Sequence, residues 1–381
     1  VDETRRREQV EEKDLIKILL SENIGLVLQA NDDQTFENYL NLNKVSFHKI
    51  GKVTNSNSLK INELDFNISK YRDIWFETSY LLDKKQSKNN KADERFENYK
   101  NQPLIFKFPE NFTGEIPIIN TDKRPKAAII REKGSNSERE MANALYLAGF
   151  DVKDIHMTDL ISGKENLEDV QLIAAVGGFS NSDVLGSAKG WAGSFKYNEK
   201  ANQALKNFFN REDTLSIGIC NGCQLFMELE LINPEHEIHG KMEHNDSQKH
   251  ESSFVSVKIN KNNSIMMQSL ENSILGVWIS HGEGKFKLPY NENEYNIIGK
   301  YRYENYPANP NGSDYDTAIM CDRTGRHLVM MPHIERSIFS WNWAYFPFSE
   351  KKYIITPWIQ AFVNAQKWLN KKYFIKRYTS K

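Results

Sequence analysis

The residues best suited to chemistry gather around Cys220, in Thr214-Leu-Ser-Ile-Gly-Ile-Cys-Asn-Gly-Cys-Gln224. A β-like apolar run precedes the cysteine and a helix-like run follows it, so the thiol stands at a strand-to-helix turn. There the positive end of a helix dipole favours the thiolate, which is the attacking form. Gly218 and Gly222 leave room for a tight turn of the nucleophile-elbow kind. Three other readings of the cysteine stand beside this one: a buried structural thiol, half of a redox pair with Cys223, or half of a zinc site. No second Cys-x-x-Cys accompanies the first, and Cys321 stands apart in the sequence.

A nucleophilic thiol needs a base, and His333-Ile-Glu335 follows the apolar run 328–331 and Pro332. In an extended segment residues 333 and 335 point the same way, so Glu335 can orient His333 while the ring's other nitrogen faces the thiol. An ordinary surface His and Glu pair has the same spelling. Gly177-Gly178 closes another apolar run. Backbone N–H groups there, together with that of Asn221, can hold a developing oxyanion; a plain turn after a buried strand is the alternative. Two further clusters carry less. Glu235-His-Glu-Ile-His239 with His244 and His250 looks metal-like but lacks a tight third ligand. The aromatic run 339–346 has no basic groove beside it for stacking bases.

Elements must place these residues. Residues 126–131, 151–157, 170–176 and 214–219 read as strands, and 137–150, 198–210 and 222–231 as helices. That alternation predicts βαβ units and a parallel sheet, with sites outside the carboxyl ends of its strands. Gly177-Gly178 and Cys220 both fall at such ends. Strands are also expected over 254–259, 276–281, 295–301, 317–321 and 328–331, and a closing amphipathic helix over 358–373. Upstream, a helix is expected over 11–21 and strands over 24–29 and 48–54. The polar stretch 84–101 reads as a solvated helix or loop. Four prolines (Pro103, Pro109, Pro117, Pro125) mark 101–125 as an extended connector, so the expected division is 1–100, a linker over 101–125, and 126–381.

The bulk composition agrees with a globular protein of two domains: 381 residues, 39% hydrophobic, 27% charged. A formal net charge of −1 gives no reason to expect nucleic acid or a membrane surface as partner. No apolar run approaches the roughly 18 residues of a spanning helix. Three sparse cysteines suit a reducing cytoplasm better than a disulfide framework. The chain opens on Val, as a processed product or a piece of a longer polypeptide would.

Gly218-Ile-Cys-Asn-Gly-Cys-Gln224 and Met331-Pro-His-Ile-Glu-Arg336 resemble the nucleophile and His-x-Glu motifs of the class I (triad) glutamine amidotransferase family. Gly177-Gly-Phe-Ser-Asn-Ser-Asp-Val-Leu-Gly186, Gly190-Trp191, Ser280-His-Gly-Glu-Gly284 and Tyr306-Pro-Ala-Asn-Pro-Asn-Gly-Ser313 narrow the likeness to glutaminase domains of the phosphoribosylformylglycinamidine synthase family, in its long single-chain form. Ser21-Glu-Asn-Ile-Gly-Leu-Val-Leu-Gln29 and Trp75-Phe-Glu-Thr-Ser-Tyr80 look like the tail of that family's ATP-dependent synthetase half. Three places depart from the family pattern: Asn181-Ser182 in place of Tyr-Gly, Ile334 in place of Pro, and Lys249 and Ser253 within a stretch usually rich in arginine.

The resemblance implies a flavodoxin-like α/β glutaminase domain with a mixed sheet. It implies that an α+β remnant of the synthetase, aminoimidazole ribonucleotide synthetase-like, precedes it. It implies Cys220 as nucleophile, His333 as proton shuttle and Glu335 as its orienter. Gly177, Gly178, Asn221, Gln224, His281 and Glu283 are then expected around the glutamine and its oxyanion, Glu283 as candidate for the α-amino group. No cofactor or metal is expected in the glutaminase domain; ATP and Mg belong to the synthetase half, which receives the ammonia. Another cysteine hydrolase on the same architecture, or an inactive docking domain, are the alternatives.

Overall fold

A computed structural model describes residues 17, 24–119, 124–347 and 353–379, the last seven by backbone alone. The chain divides into two compact units, 1–75 and 76–381. The expected helix over 11–21 and part of the 21–29 motif lie outside the described residues.

The described part of the first unit holds helix α1 (Asp33–Leu42) and a hairpin of β1 (Ser58–Ile61) and β2 (Leu64–Asn67). Asp32 caps α1 by accepting the Thr35 N–H at 3.2 Å. Residues 24–29 and 48–54 have strand-like side chains but are irregular. Their backbones find no partner strand among the described residues, and without a ladder β-propensity alone forms nothing. Among residues 24–75 none is buried.

Helix α2 (Ile68–Gln86) runs across the division, and α3 (Lys91–Asn98) follows it. The unit boundary thus falls between residues 75 and 76, upstream of the expected connector. The reason is side-chain chemistry that charge counting hides. Ala92 and Asp83 are buried, and Arg95 reaches Glu251 at 2.8 Å. The stretch 84–101 is therefore not simply a solvated surface. Nor is 101–119 a free linker. Lys107 bridges Ile274, and Phe106, Phe108 and Phe112 pack on the core.

The second unit is built on one nine-stranded sheet. In chain order its strands are β3 (Lys126–Arg131), β4 (Asp151–His156), β5 (Leu172–Ala175), β6 (Leu215–Ile219), β8 (Glu251–Ile259), β9 (Ile274–His281), β11 (Asn296–Tyr301), β12 (Thr317–Cys321) and β13 (His327–Met330). Their spatial order is β4-β3-β5-β6-β13-β12-β11-β8-β9. Pairing is parallel from β4 to β13 and antiparallel from β13 to β9. A short separate pair joins β7 (Lys241–Glu243) to β10 (Lys285–Lys287).

Every residue of β5, β6, β12 and β13 is buried, which requires cover on both faces of the sheet. The helices supply it: α4 (Glu138–Leu147), α5 (Met157–Ser162), α6 (Lys189–Tyr197), α7 (Glu199–Asn210), α8 (Asn221–Glu228) and α9 (Ile359–Thr379). Helix α8 packs on β5, β6 and β13, and α9 packs on α4. The outcome is an α/β architecture whose parallel half the strand–helix alternation predicts and whose mixed sheet the family resemblance implies.

Candidate active site

Three neighbouring parallel strands, β5, β6 and β13, end at the site. The register sets Ile219 of β6 beside Met330 of β13. One residue on, Cys220 N–H donates to Met330 O at 2.9 Å. Cys220 therefore leaves one strand where the chain carrying His333 leaves the next. On the other side of β6, Ala175 of β5 pairs with Gly218, and Gly177-Gly178 follow at its end.

Cys220 sits at φ 52°, ψ −108°, a left-handed conformation that a side chain rarely adopts. This is the strained elbow between β6 and α8, and the local sequence is built to hold it. A Cβ on Gly222 would collide with the Ala175 carbonyl, and one on Gly218 would lie 2.5 Å from Gly222 O. Cys223 lies one turn into α8, fully buried, and burial pushes its thiol well up. All three cysteines are free.

His333 Nδ1 lies 2.7 Å from Glu335 Oε1, and Cys220 acts on the imidazole from the other side of the site. With Nδ1 occupied, Nε2 serves the thiol. Burial pulls the His333 pKa down, but the Glu335 carboxylate and the Cys220 charge outweigh it and raise it to about 10. Glu335 is buried too, which raises its carboxyl; the His333 charge overcomes that and holds it below the usual range. His333 and Glu335 are thus held as imidazolium and carboxylate beside the Cys220 sulfur.

The route to this geometry differs from the extended segment expected. Residues Ile334–Arg336 form a 3-10 turn, and His333 is its N-cap. Glu335 folds back onto Nδ1 through that turn, while the His333 N–H donates to Trp278 O at 2.8 Å in an isolated antiparallel bridge.

Gly177 lies against Cys220 and His333: a Cβ there would stand 2.8 Å from His333 Cε1 and 3.5 Å from Cys220 Cβ. Gly178 has φ 122°, and a Cβ would strike Gly134 O and the Asn136 N–H. The neighbouring backbone groups are spoken for, Asn136 N to Gly177 O and Phe179 N to Gly134 O. Among the described residues Gly178 N–H finds no acceptor, and Asn221 N–H, in the first turn of α8, needs none from the helix.

Asn221 and Gln224 tie the elbow to its surroundings. Asn221 Oδ1 accepts from Ser180 N at 3.2 Å, and its Nδ2 donates to Gln224 Oε1 at 2.9 Å. Gln224 Nε2 donates to Glu283 O at 2.8 Å. Glu283 Oε2 accepts from Ser187 N at 3.2 Å. A cleft of about 670 Å³ is lined by Asp183, Lys189, Asp246, Glu283 and Lys285, among others.

His281 is buried with Nδ1 3.1 Å from Asn245 Oδ1. Asn245 Oδ1 also accepts from Gly284 N, while its Nδ2 donates to the carbonyls of His281 and Lys249. That network fixes the proton on His281 Nδ1. Burial, then the nearby His333 and His250 charges, push its pKa down to about 3, so the ring is neutral. Its Nε2 has no partner among the described residues.

Sequence reasoning missed Asn245, Asp183 and the Ser280 carbonyl, which lies 3.5 Å from Cys220 Sγ. A carbonyl leaves no trace in side-chain types. Asn245 is zero per cent exposed with its whole amide satisfied, but an asparagine in a polar stretch reads as loop. Among the described residues no cluster of three or more His, Cys, Asp or Glu is arranged to hold a metal, and no helix is long and apolar enough to cross a membrane.

Residues 124–369 match the family described as CobB/CobQ-like glutamine amidotransferase domain. The chain belongs to that family. Its Cys220, His333 and Glu335 all fall within the matched region of this amidotransferase domain. Relatives extend further along the chain. A probable phosphoribosylformylglycinamidine synthase, chloroplastic/mitochondrial, of Arabidopsis thaliana is 38% identical over 389 residues, covering 93% of this chain and 27% of the relative. The phosphoribosylformylglycinamidine synthase of Homo sapiens is 33% identical over 396 residues, covering 93% and 29%. A probable phosphoribosylformylglycinamidine synthase of Caenorhabditis elegans is 43% identical over 273 residues, covering 64% and 20%. The chain spans less than a third of the length of these relatives.

Proposed function

We propose that this chain is the glutaminase part of a phosphoribosylformylglycinamidine synthase. Cys220 attacks the side-chain amide carbon of glutamine. The oxyanion is held by backbone N–H groups at Gly178 and Asn221. His333 passes its Nε2 proton to the departing amine, which leaves as ammonia, and Glu335 Oε1 keeps the ring aligned throughout. A glutamyl thioester remains on Cys220. Water, deprotonated by His333, then releases glutamate and restores the thiol. Gln224, His281 and Glu283 line the glutamine in this reading, with Glu283 taking the α-amino group.

The observation that carries this reading is the Cys220–His333–Glu335 array at adjoining strand ends inside an amidotransferase domain. The relatives' names support placing the chain in a phosphoribosylformylglycinamidine synthase; in this proposal the ammonia passes to a synthetase half, which uses ATP and Mg to convert formylglycinamide ribonucleotide to formylglycinamidine ribonucleotide in purine synthesis. ATP and Mg act in that half, and no step on this chain runs through them. Residues 1–100 are then the C-terminal part of the synthetase half, 101–125 a connector whose described residues pack on the glutaminase, and 126–381 the glutaminase. Three free thiols fit a reducing, cytoplasmic setting.

The native polypeptide is expected to release glutamate and ammonia in equal amounts from free glutamine, and Cys220→Ala to abolish both. Release from γ-glutamyl peptides in preference to glutamine would favour a different cysteine hydrolase. No turnover in the native polypeptide would favour a docking-only domain.

A further inference from the structure

The back of the active site is held by charges that the catalytic scheme does not use. Asp83 of α2 is buried and pairs with Lys249 Nζ. It also meets Arg95 Nη1 at 3.2 Å and accepts the Ser87 hydroxyl at 2.6 Å. Burial raises the Asp83 pKa, but the Lys249, Ser87 and Arg95 contacts prevail and lower it, so the group is ionised. Arg95 of α3 carries the charge onward. Its Nη2 lies 2.8 Å from Glu251 Oε2, and its guanidinium stacks 4.9 Å from the Tyr306 ring centre. Glu251 is 3% exposed and also accepts the Tyr306 hydroxyl at 2.9 Å and the Ser247 hydroxyl at 2.5 Å.

These residues grip the segment 245–251, and that segment grips the nucleophile's surroundings. Backbone bonds reinforce the hold, with Lys88 N donating to Ser247 O at 2.9 Å and Asn89 Nδ2 to Asp246 O at 2.7 Å. From 245–251 the contacts pass to the turn 280–284. Asn245 N donates to Gly282 O at 2.9 Å, and its side chain bonds His281 and Gly284. His250 Nε2 lies 2.9 Å from Ser280 Oγ, and Glu251 and Ser252 pair with His281 and Ser280 across β8 and β9. The turn 280–284 touches the elbow twice, through Ser280 O to Cys220 Sγ at 3.5 Å and through Glu283 O to Gln224 Nε2 at 2.8 Å.

We propose that Asp83, Arg95 and Lys249 are positioning residues for glutamine hydrolysis, acting through the segment 245–251 to set the turn 280–284 against Cys220. The proposal rests on the glutaminase reading above. Buried ion pairs are weak devices for stability, because desolvation offsets the attraction, and their better-attested use is to fix one arrangement among several. Lys249 carries a compact point charge rather than a fork. Its ammonium reaches a single carboxylate, Asp83, so Arg95 supplies the forked contact that spans Asp83 and Glu251.

The test compares two labels on Cys220 in the native polypeptide. Azaserine, an electrophilic glutamine analogue, needs the glutamine pocket; iodoacetamide needs only a reachable thiol. Arg95→Ala should slow azaserine labelling about tenfold while iodoacetamide labelling stays within about twofold, since the pocket shifts and the thiol remains. Asp83→Asn, which keeps the volume, should show the same split more weakly. Lys249→Arg, which keeps the charge, should label like the unaltered protein. Equal azaserine rates in the unaltered protein and in Asp83→Asn and Arg95→Ala overturn the proposal. So does parallel loss of both labels in Asp83→Asn, which is the signature of a merely structural role. Failure of azaserine to label Cys220 in the unaltered protein overturns the glutaminase reading itself.

Discussion

At the scale of single residues the site works by environment more than by type. Two buried histidines a short distance apart are driven in opposite directions. His333 is raised to about 10 because burial is outweighed by Glu335 and Cys220, while His281 falls to about 3 because burial and like charge outweigh a backbone hydrogen bond. The first is held charged and the second neutral. His281 has a consequence for stability. Its folded pKa lies below its ordinary value of 6.5, so the unfolded chain binds the proton more readily. The contribution is complete above about 6.5 and is lost as pH falls toward about 3, at no more than about 1.4 kcal/mol per pH unit for one such group. His327, pushed to about 4 by burial, acts in the same sense. Chemical unfolding across that range should therefore show a shallower acid loss in His281→Gln. An unchanged slope would mean that the ring is not held neutral. None of this was legible in the sequence, because a histidine's letter is the same in both settings.

At the scale of elements, the parallel register of β5, β6 and β13 does the placing. Strand-by-strand alternation of apolar runs and helices made those strands readable, and the glycines at 177, 178, 218 and 222 marked where they end. The reading failed where the backbone turns sharply. Residues 333–335 were expected to be extended, and Glu335 instead folds back through a 3-10 turn. Residues 24–29 and 48–54 have the composition of strands but no neighbour to pair with among the described residues. Two glycine variants probe the placement. In Gly177→Ala the new methyl presses on His333 Cε1 at 2.8 Å, and glutamine turnover should fall about a hundredfold with the fold retained. In Gly222→Ala the methyl meets the Ala175 carbonyl, a backbone atom that cannot give way. The expected loss there is of stability, roughly 2–3 kcal/mol in a urea titration. Wild-type turnover in Gly177→Ala would mean that the imidazole does not sit where the structure has it.

At the scale of the whole molecule, the two units differ in kind. The second has a large core under a nine-stranded sheet, whereas the described residues of the first bury none of their side chains. Ile24, Leu26, Val27, Leu42, Ile50 and Val53 are all exposed there. The sequence showed two parts, but it set the division in the proline-marked stretch 101–125, since charge patterning cannot reveal that Arg95 and Asp83 are drawn inward by Glu251 and Lys249. The three thiols of the chain allow the decisive measurement. Cys220 stands at the elbow, and Cys223 and Cys321 are buried with raised pKa values. The native polypeptide should be treated with azaserine, and the adduct located by peptide mass mapping. One adduct on Cys220, blocked by excess glutamine and absent in Cys220→Ala, is the expected result. An adduct on Cys223 or Cys321, or labelling that survives Cys220→Ala, would contradict the account.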